Sequence, residues 1–268
     1  MQSFSYHKPR TVADAASVLA ARDNAALLAG GMTLLPTMKQ RLAAPDDIVD
    51  LAAIRELSGI TMDGEDLVIG AMTRHADVAG SALVKEVLPA LAGLASRIGD
   101  QQVRHRGTIG GSISNNDPAA DYPAAILALN ATIVTSQRAI AADDFFVGLF
   151  ETALRPGEIV TAIRFPRTER AAYAKFPNPA SRYAMAGVFV AQAGGAVRVA
   201  VTGAAPFVFR AADVEAALSA NYAVEALERL SIDAQDLMSD IHADREYRAH
   251  LVMVMARRAV AASLKSPG

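Results

Sequence analysis

Cysteine is missing from all 268 residues. A chain without thiols forms no disulfide, carries no thiolate nucleophile, and ligates neither an iron–sulfur cluster nor a cysteine-bound zinc. Any metal would fall to carboxylates or to the five histidines, whose spacing shows no HExxH-like pattern. No basic tract is present either. The 26 basic and 28 acidic residues are interspersed, for a formal net charge of -2, so the electrostatic footprint of a nucleic-acid binder is lacking. Hydrophobic residues make up 52 %, but much of this is alanine, and no apolar run approaches the roughly 18 residues of a spanning helix. The candidate Leu251 to Ala256 stops at Arg257 and Arg258. Met1 to His7 lacks the basic region and apolar stretch of a signal peptide, so a soluble, cytoplasmic protein is expected. The two commonest nucleotide-binding loops are absent as well: there is no GxGxxG, and no Lys-Ser/Thr follows a glycine loop.

What is present is a pair of diglycines, each closing an apolar stretch and opening a hydroxyl-bearing one. They read Ala29-Gly30-Gly31-Met32-Thr33 and Thr108-Ile109-Gly110-Gly111-Ser112. Diglycine lets the backbone reach left-handed conformations in which successive N–H groups converge on an anion. A helix starting just after adds its dipole. The first is either one side of a pyrophosphate clamp or an ordinary turn between strand and helix. The second lies among small hydroxyl and amide side chains, Ser112, Ser114, Asn115 and Asn116, suited to phosphate and sugar hydroxyls. Asp121 either accepts from a ribose or ribityl chain or caps a helix. Arg104, His105 and Arg106 form either a solvated loop or a partner-facing one.

Along the chain, Thr11 and Asp14 open a capping-box-like helix, and Ala25 to Leu28 reads as a buried strand. Thr33 caps the next helix, and Ile48 to Leu51 completes a βαβ unit. Residues 60–62 and 67–69 flank the hairpin signal Asp63-Gly64. A helix over Val84 to Arg97 follows, then the second diglycine loop, a helix from Asp121 to Leu129, two strands within Ala131 to Ala142, and a half-buried strand from Glu158 to Phe165. Beyond Thr168 a hairpin turns at Gly194-Gly195 between Met185–Ala193 and Val197–Thr202. Helices are predicted over Ala211–Leu218, Val224–Leu230 and Glu246–Leu264. There is no internal repeat.

Taken together, the two glycine motifs resemble those of the FAD-binding medium subunit of the xanthine dehydrogenase/aerobic carbon monoxide dehydrogenase family of molybdenum hydroxylases. The resemblance spans nearly the whole chain. It includes Asp117-Pro118-Ala119-Ala120-Asp121, Pro156-Gly157-Glu158-Ile159-Val160, Asn178-Pro179-Ala180-Ser181-Arg182-Tyr183-Ala184 and Glu246-Tyr247-Arg248-x-His250-Leu251.

The resemblance implies an α/β and α+β protein: a two-lobed FAD domain related to the vanillyl-alcohol-oxidase (PCMH) type, with lobes 1–58 and 59–167, followed by a small α+β domain, 168–268. It implies noncovalent FAD with no catalytic side chain. Both glycine segments would hold the pyrophosphate, through Leu28, Ala29, Gly30, Gly31, Met32, Thr33 and Leu34 on one side and Thr108, Ile109, Gly110, Gly111 and Ser112 on the other. Asn116, Asp117 and Asp121 would bond within the cofactor site, Val160 and Lys175 would lie near the adenine, and Tyr183 beside the isoalloxazine. The molybdenum cofactor and 2Fe-2S clusters would reside on large and small partner subunits, in a dimer of heterotrimers. Electrons would pass from the clusters through FAD to an external acceptor. The alternatives are a flavin-free scaffold subunit and a self-sufficient flavin oxidase.

Overall fold

A computed structural model describes residues 1–265. Its first segment contains β1 (Ser5–His7), α1 (Val12–Ala20), β2 (Ala25–Leu28), α2 (Leu34–Lys39) and β3 (Asp47–Asp50). The strands form a parallel sheet in the order β1-β3-β2. The Thr11 hydroxyl accepts from the Asp14 amide at 3.1 Å and starts α1, which buries Ala15 against Val49, Leu51, Ile54 and Leu57. Thr33 precedes α2, but its side chain makes no capping bond, contrary to the sequence expectation. Ile159, from far along the chain, completes this small core and ties it to the next segment.

That segment holds β4 (Ile60–Asp63), β5 (Asp66–Gly70), α3 (His75–Gly80), α4 (Ala82–Val87), α5 (Pro89–Ser96), α6 (Gln101–Arg104), α7 (Ile109–Asn115) and α8 (Tyr122–Ala128). It continues through β6 (Thr132–Thr135), β7 (Ala139–Ala141), α9 (Ala142–Phe145), β8 (Phe146–Gly148), β9 (Glu151–Thr152) and β10 (Val160–Phe165). Five strands form an antiparallel sheet in the order β4-β5-β10-β6-β7. The single helix expected over Val84 to Arg97 is two, because Pro89 has no N–H to give and starts a new helix instead. Every residue of α8 is buried, as suits a helix with no charged residue and apolar surface all round.

The third segment comprises β11 (Arg170–Pro177), β12 (Ala184–Ala193), β13 (Ala196–Thr202), β14 (Phe209–Arg210), α10 (Ala212–Ala220) and α11 (Arg245–Ser263). Its sheet is antiparallel in chain order. The helix expected over Val224–Leu230 is a 3-10 turn, Val224–Leu227. Alternation along β12 sends Phe189 and Ala191 into the core shared with α8, and Ala186, Val188 and Val190 into the core under α11. Both faces of the sheet are therefore covered. Buried Arg248 of α11 donates to the carbonyls of Met185 and Gly203 at 2.8 and 2.7 Å and to Asp240 at 2.6 Å. That is the structural task of the Glu-Tyr-Arg motif near the C-terminus. No helix among the described residues is long and apolar enough to cross a membrane.

Candidate functional site

The first glycine pair links β2 to α2. Gly31 adopts φ +75°, a left-handed conformation that a side chain disfavours. Gly30 is required for a different reason. A Cβ there would strike the Arg106 carbonyl oxygen and sit 2.7 Å from the Gly107 Cα. Among the described residues, the amides of Gly30, Gly31, Met32 and Thr33 donate to no backbone acceptor of the chain, so a run of N–H groups stands ready for an anion.

The second pair is not a loop. Gly110 and Gly111 form the first turn of α7, with helical rather than positive φ. Their amides are already engaged: Ile109 N–H donates to Thr73 O at 3.1 Å, Gly110 N–H to Ala71 O at 2.8 Å, and Gly111 N–H to the Thr108 hydroxyl at 3.2 Å. Here glycine serves close packing. A Cβ on Gly110 would lie 2.6 Å from the Ala71 Cβ, and one on Gly111 would lie 2.9 Å from Thr108 Oγ1 and 3.3 Å from the Ala29 Cβ. The two diglycine segments thus touch each other directly, Gly111 against Ala29 and Gly30 against Arg106-Gly107. The two sides of the expected clamp therefore differ: one segment offers free amides, and the other offers closeness and hydroxyls.

Between and beyond them lies a cavity of about 690 Å³, within the range of cofactor sites. Helical spacing puts Ile109 and Ile113 in the core while Gly111, Ser112, Ser114 and Asn115 line the opening. Leu27, Leu51, Met72, Ile159 and Val160 give one apolar wall, and Tyr183, about half exposed, stands at the wall made by residues 180–183. Asp117 and Asp121 line it too. Burial raises the Asp117 carboxyl, opposed by the Ala119 N–H that it accepts at 2.9 Å. Burial likewise raises Asp121, against the pull of Lys175 and of the Tyr173 hydroxyl, which donates to it at 2.6 Å. Burial and then the nearby Asp117 and Asp121 keep the Tyr183 phenol above its ordinary value, hence neutral. Buried His75, also in the lining, is held at about 4 by burial and by Arg104, so its imidazole is uncharged near neutral pH.

The structure brings Ala29, Gly30, Gly31, Met32, Thr33, Leu34, Thr108, Gly110, Gly111, Ser112, Asp117, Asp121, Val160 and Tyr183 to this cavity. Leu28, Ile109, Asn116 and Lys175 do not line it. Ile109 is fully buried in the core, and Asn116, left-handed at φ 44°, donates its amide to the carbonyls of Gly148 and Glu151 at 2.8 Å each. Lys175 lies behind Asp121 in a buried ion pair at 2.8 Å. Asp121, expected to bond a sugar chain or cap a helix, makes no capping bond. Arg104 donates to the carbonyls of Ile98 and Gly99, which settles it as structural, while His105 and Arg106 are exposed. Sequence reasoning missed three stretches of wall: 71–75, 98–103 and 180–182. Their residue types carry no periodic or motif signal, apart from the Asn178–Ala184 resemblance.

The cavity fits FAD on its own features. Free amides at Gly30 to Thr33 suit phosphates, hydroxyl and amide side chains of α7 suit ribityl or ribose oxygens, and apolar walls with an aromatic side chain suit flat rings. Comparison with known proteins agrees. Residues 2–168 match the family described as the FAD-binding domain in molybdopterin dehydrogenase. The chain is 36% identical to the carbon monoxide dehydrogenase medium chain of Hydrogenophaga pseudoflava, covering 97% of this chain and 96% of that one. It is 33% identical to the nicotine 6-hydroxylase medium subunit of Paenarthrobacter nicotinovorans, covering 97% of each. A solved structure of the Hydrogenophaga pseudoflava carbon monoxide dehydrogenase, lacking the Mo-pyranopterin moiety of its molybdenum cofactor, superposes with TM-score 0.88. There the identity is 35%, covering 100% of this chain and 99% of that one.

Proposed function

The chain belongs to the family of FAD-binding domains of molybdopterin dehydrogenases, and from that premise we propose that it carries FAD in this cavity and relays electrons within a molybdenum hydroxylase. The observation that carries the reading is the run of unengaged amides from Gly30 to Thr33, which lines one cofactor-sized cavity together with residues of α7. The chain's own residues bind and orient. The first glycine segment holds phosphate oxygens, Ser112, Ser114 and Asn115 hold hydroxyls, and Tyr183 shields one region of the ring system. Residues 1–58 and 59–167 act as the two lobes of the cofactor domain and 168–268 as a small C-terminal domain. Each has a sheet of its own.

The redox chemistry, taking up electrons from a reduced donor and releasing them to an acceptor, belongs to the flavin itself. These 268 residues contain no cysteine, so iron–sulfur ligation would come from outside them. We propose assembly with a small iron–sulfur subunit and a large molybdenum subunit, in a dimer of heterotrimers in the cytoplasm; the names medium chain and medium subunit of the relatives support the presence of partner subunits.

The test is direct. Purified chain titrated with FAD should acquire a flavin spectrum at one equivalent, released on denaturation. Alone, it should not oxidise the organic substrates of molybdenum hydroxylases, and adding partner subunits should restore substrate-dependent flavin reduction. A chain that takes up no FAD would be the scaffold instead, and rapid reduction of the flavin by substrate in the lone chain would make it an oxidase.

A further inference from the structure

Lys175 is buried at 5 % exposure on β11, yet it does not reach the cavity. Its ammonium has three N–H donors, and all three are spent. They go to the Arg97 carbonyl, the Asp121 carboxylate and the Arg182 carbonyl, each at 3.0 Å. In return, the Arg97 guanidinium donates to the Lys175 carbonyl at 3.2 Å. The three acceptors come from three separate stretches of chain. Arg97 precedes the wall residues Ile98, Gly99 and Asp100; Asp121 is itself in the wall; Arg182 is in the wall and precedes Tyr183.

Arg182 adopts φ 63°, a left-handed conformation uncommon for a residue with a side chain. The turn it belongs to is held at its base by Asn178. The Asn178 side-chain oxygen accepts from the backbone amides of Ala180 and Ser181, and the Asn178 backbone N–H donates to the Tyr183 carbonyl at 2.8 Å. The Lys175 bond is what fastens the Arg182 carbonyl to the body of the protein.

We propose that Lys175 is a positioning residue that sets the wall carrying Tyr183 from behind, by tying the Arg97, Asp121 and Arg182 segments to one buried ammonium. This rests on the reading of the cavity as the FAD site. It is offered in place of the expectation that Lys175 lies near the adenine. The wall that Lys175 organises is remote in sequence from the glycine segment that offers the free amides. Loss of the tie should therefore disturb the ring system and leave phosphate binding nearly intact.

The experiment compares wild type, Lys175→Met and the charge-balanced double variant Asp121→Asn/Lys175→Met, each checked for folding by circular dichroism. ADP and FAD are titrated separately, and the fluorescence quenching of bound FAD and its visible circular dichroism are recorded. For folded variants the expected result is a loss of FAD affinity of about tenfold, weaker quenching and an altered flavin dichroism, with ADP affinity changed less than about threefold. The double variant leaves no unpaired buried carboxylate, so it reports on the lost ties even if the single variant does not fold. Unchanged quenching, dichroism and FAD affinity in either folded variant overturn the proposal. An equal loss of ADP and FAD affinity also overturns it, since that would make Lys175 a general stabiliser. Collapse of both variants would do the same. A wild type that binds neither nucleotide would instead refute the FAD reading itself.

Discussion

Adjacent Gly110 and Gly111 should respond to alanine in different ways, although both sit in the first turn of α7. At Gly110 the new methyl would lie 2.6 Å from the Ala71 Cβ and 2.7 Å from the Ala71 carbonyl oxygen. That carbonyl accepts the Gly110 N–H at 2.8 Å, so neither side yields without straining the bond. Overpacking of this kind costs about 1–3 kcal/mol, and weakening one hydrogen bond about 1 kcal/mol more. The helix propensity of alanine returns about 1 kcal/mol. The balance is a loss of about 2 kcal/mol, or about 4–8 °C in Tm for a chain of this size. At Gly111 the nearest atom is the Thr108 hydroxyl at 2.9 Å, a side-chain end that can rotate at the cost of its bond to the Gly111 amide. Losing that cap costs about 1 kcal/mol, and the propensity gain offsets it. Stability should then change little. The methyl would press on Ala29, however, where the two segments meet at the cavity. FAD affinity should fall on the order of tenfold, about 1.4 kcal/mol. Thermal unfolding of each apo variant and titration of each with FAD separate the two effects. An unchanged Tm for Gly110→Ala, or unchanged FAD affinity for folded Gly111→Ala, would refute this account of why the second diglycine is there.

Two other substitutions probe different layers. Tyr183→Ala should alter flavin fluorescence and reduction potential while leaving ADP affinity nearly unchanged, because the free amides of the first segment are untouched; an unaltered spectrum and potential would make Tyr183 merely structural. Burial pushes the Glu158 carboxyl up, but hydrogen bonds from Arg138, Thr135 and the Arg155 amide overcome this and hold it at about 2, below the ordinary 4.5. The folded state thus favours the ionised form, so the stabilisation is complete above about pH 4.5 and lost as pH falls towards 2. Urea unfolding of wild type and Glu158→Gln should differ by about 3 kcal/mol at pH 7 and converge on acidification; a pH-independent difference would contradict the assignment.

Much of the architecture is a local matter and was legible. Gly194-Gly195 marked the β12–β13 hairpin, Asp63-Gly64 marked the β4–β5 turn, and the helix expected over Asp121 to Leu129 forms as α8. The Thr11 cap and the presence of two glycine segments followed from short-range stereochemistry. The absence of cysteine also determined, without any coordinates, that no iron–sulfur cluster is ligated by this chain.

What the glycines do was decided only in three dimensions. Gly31 needs its left-handed backbone, but Gly30 and Gly110 are glycine because Arg106-Gly107 and Ala71 approach them, and no local pattern announces a neighbour from elsewhere in the chain. The same holds for Lys175 and Asp121. Sequence can mark either as polar, but only the fold, which brings Lys175 of β11 to the residue just before α8, turns them into a buried pair behind the cavity. A hydrogen-bond donor can be counted from the sequence, whereas its acceptor depends on which distant segments the fold brings within 3 Å.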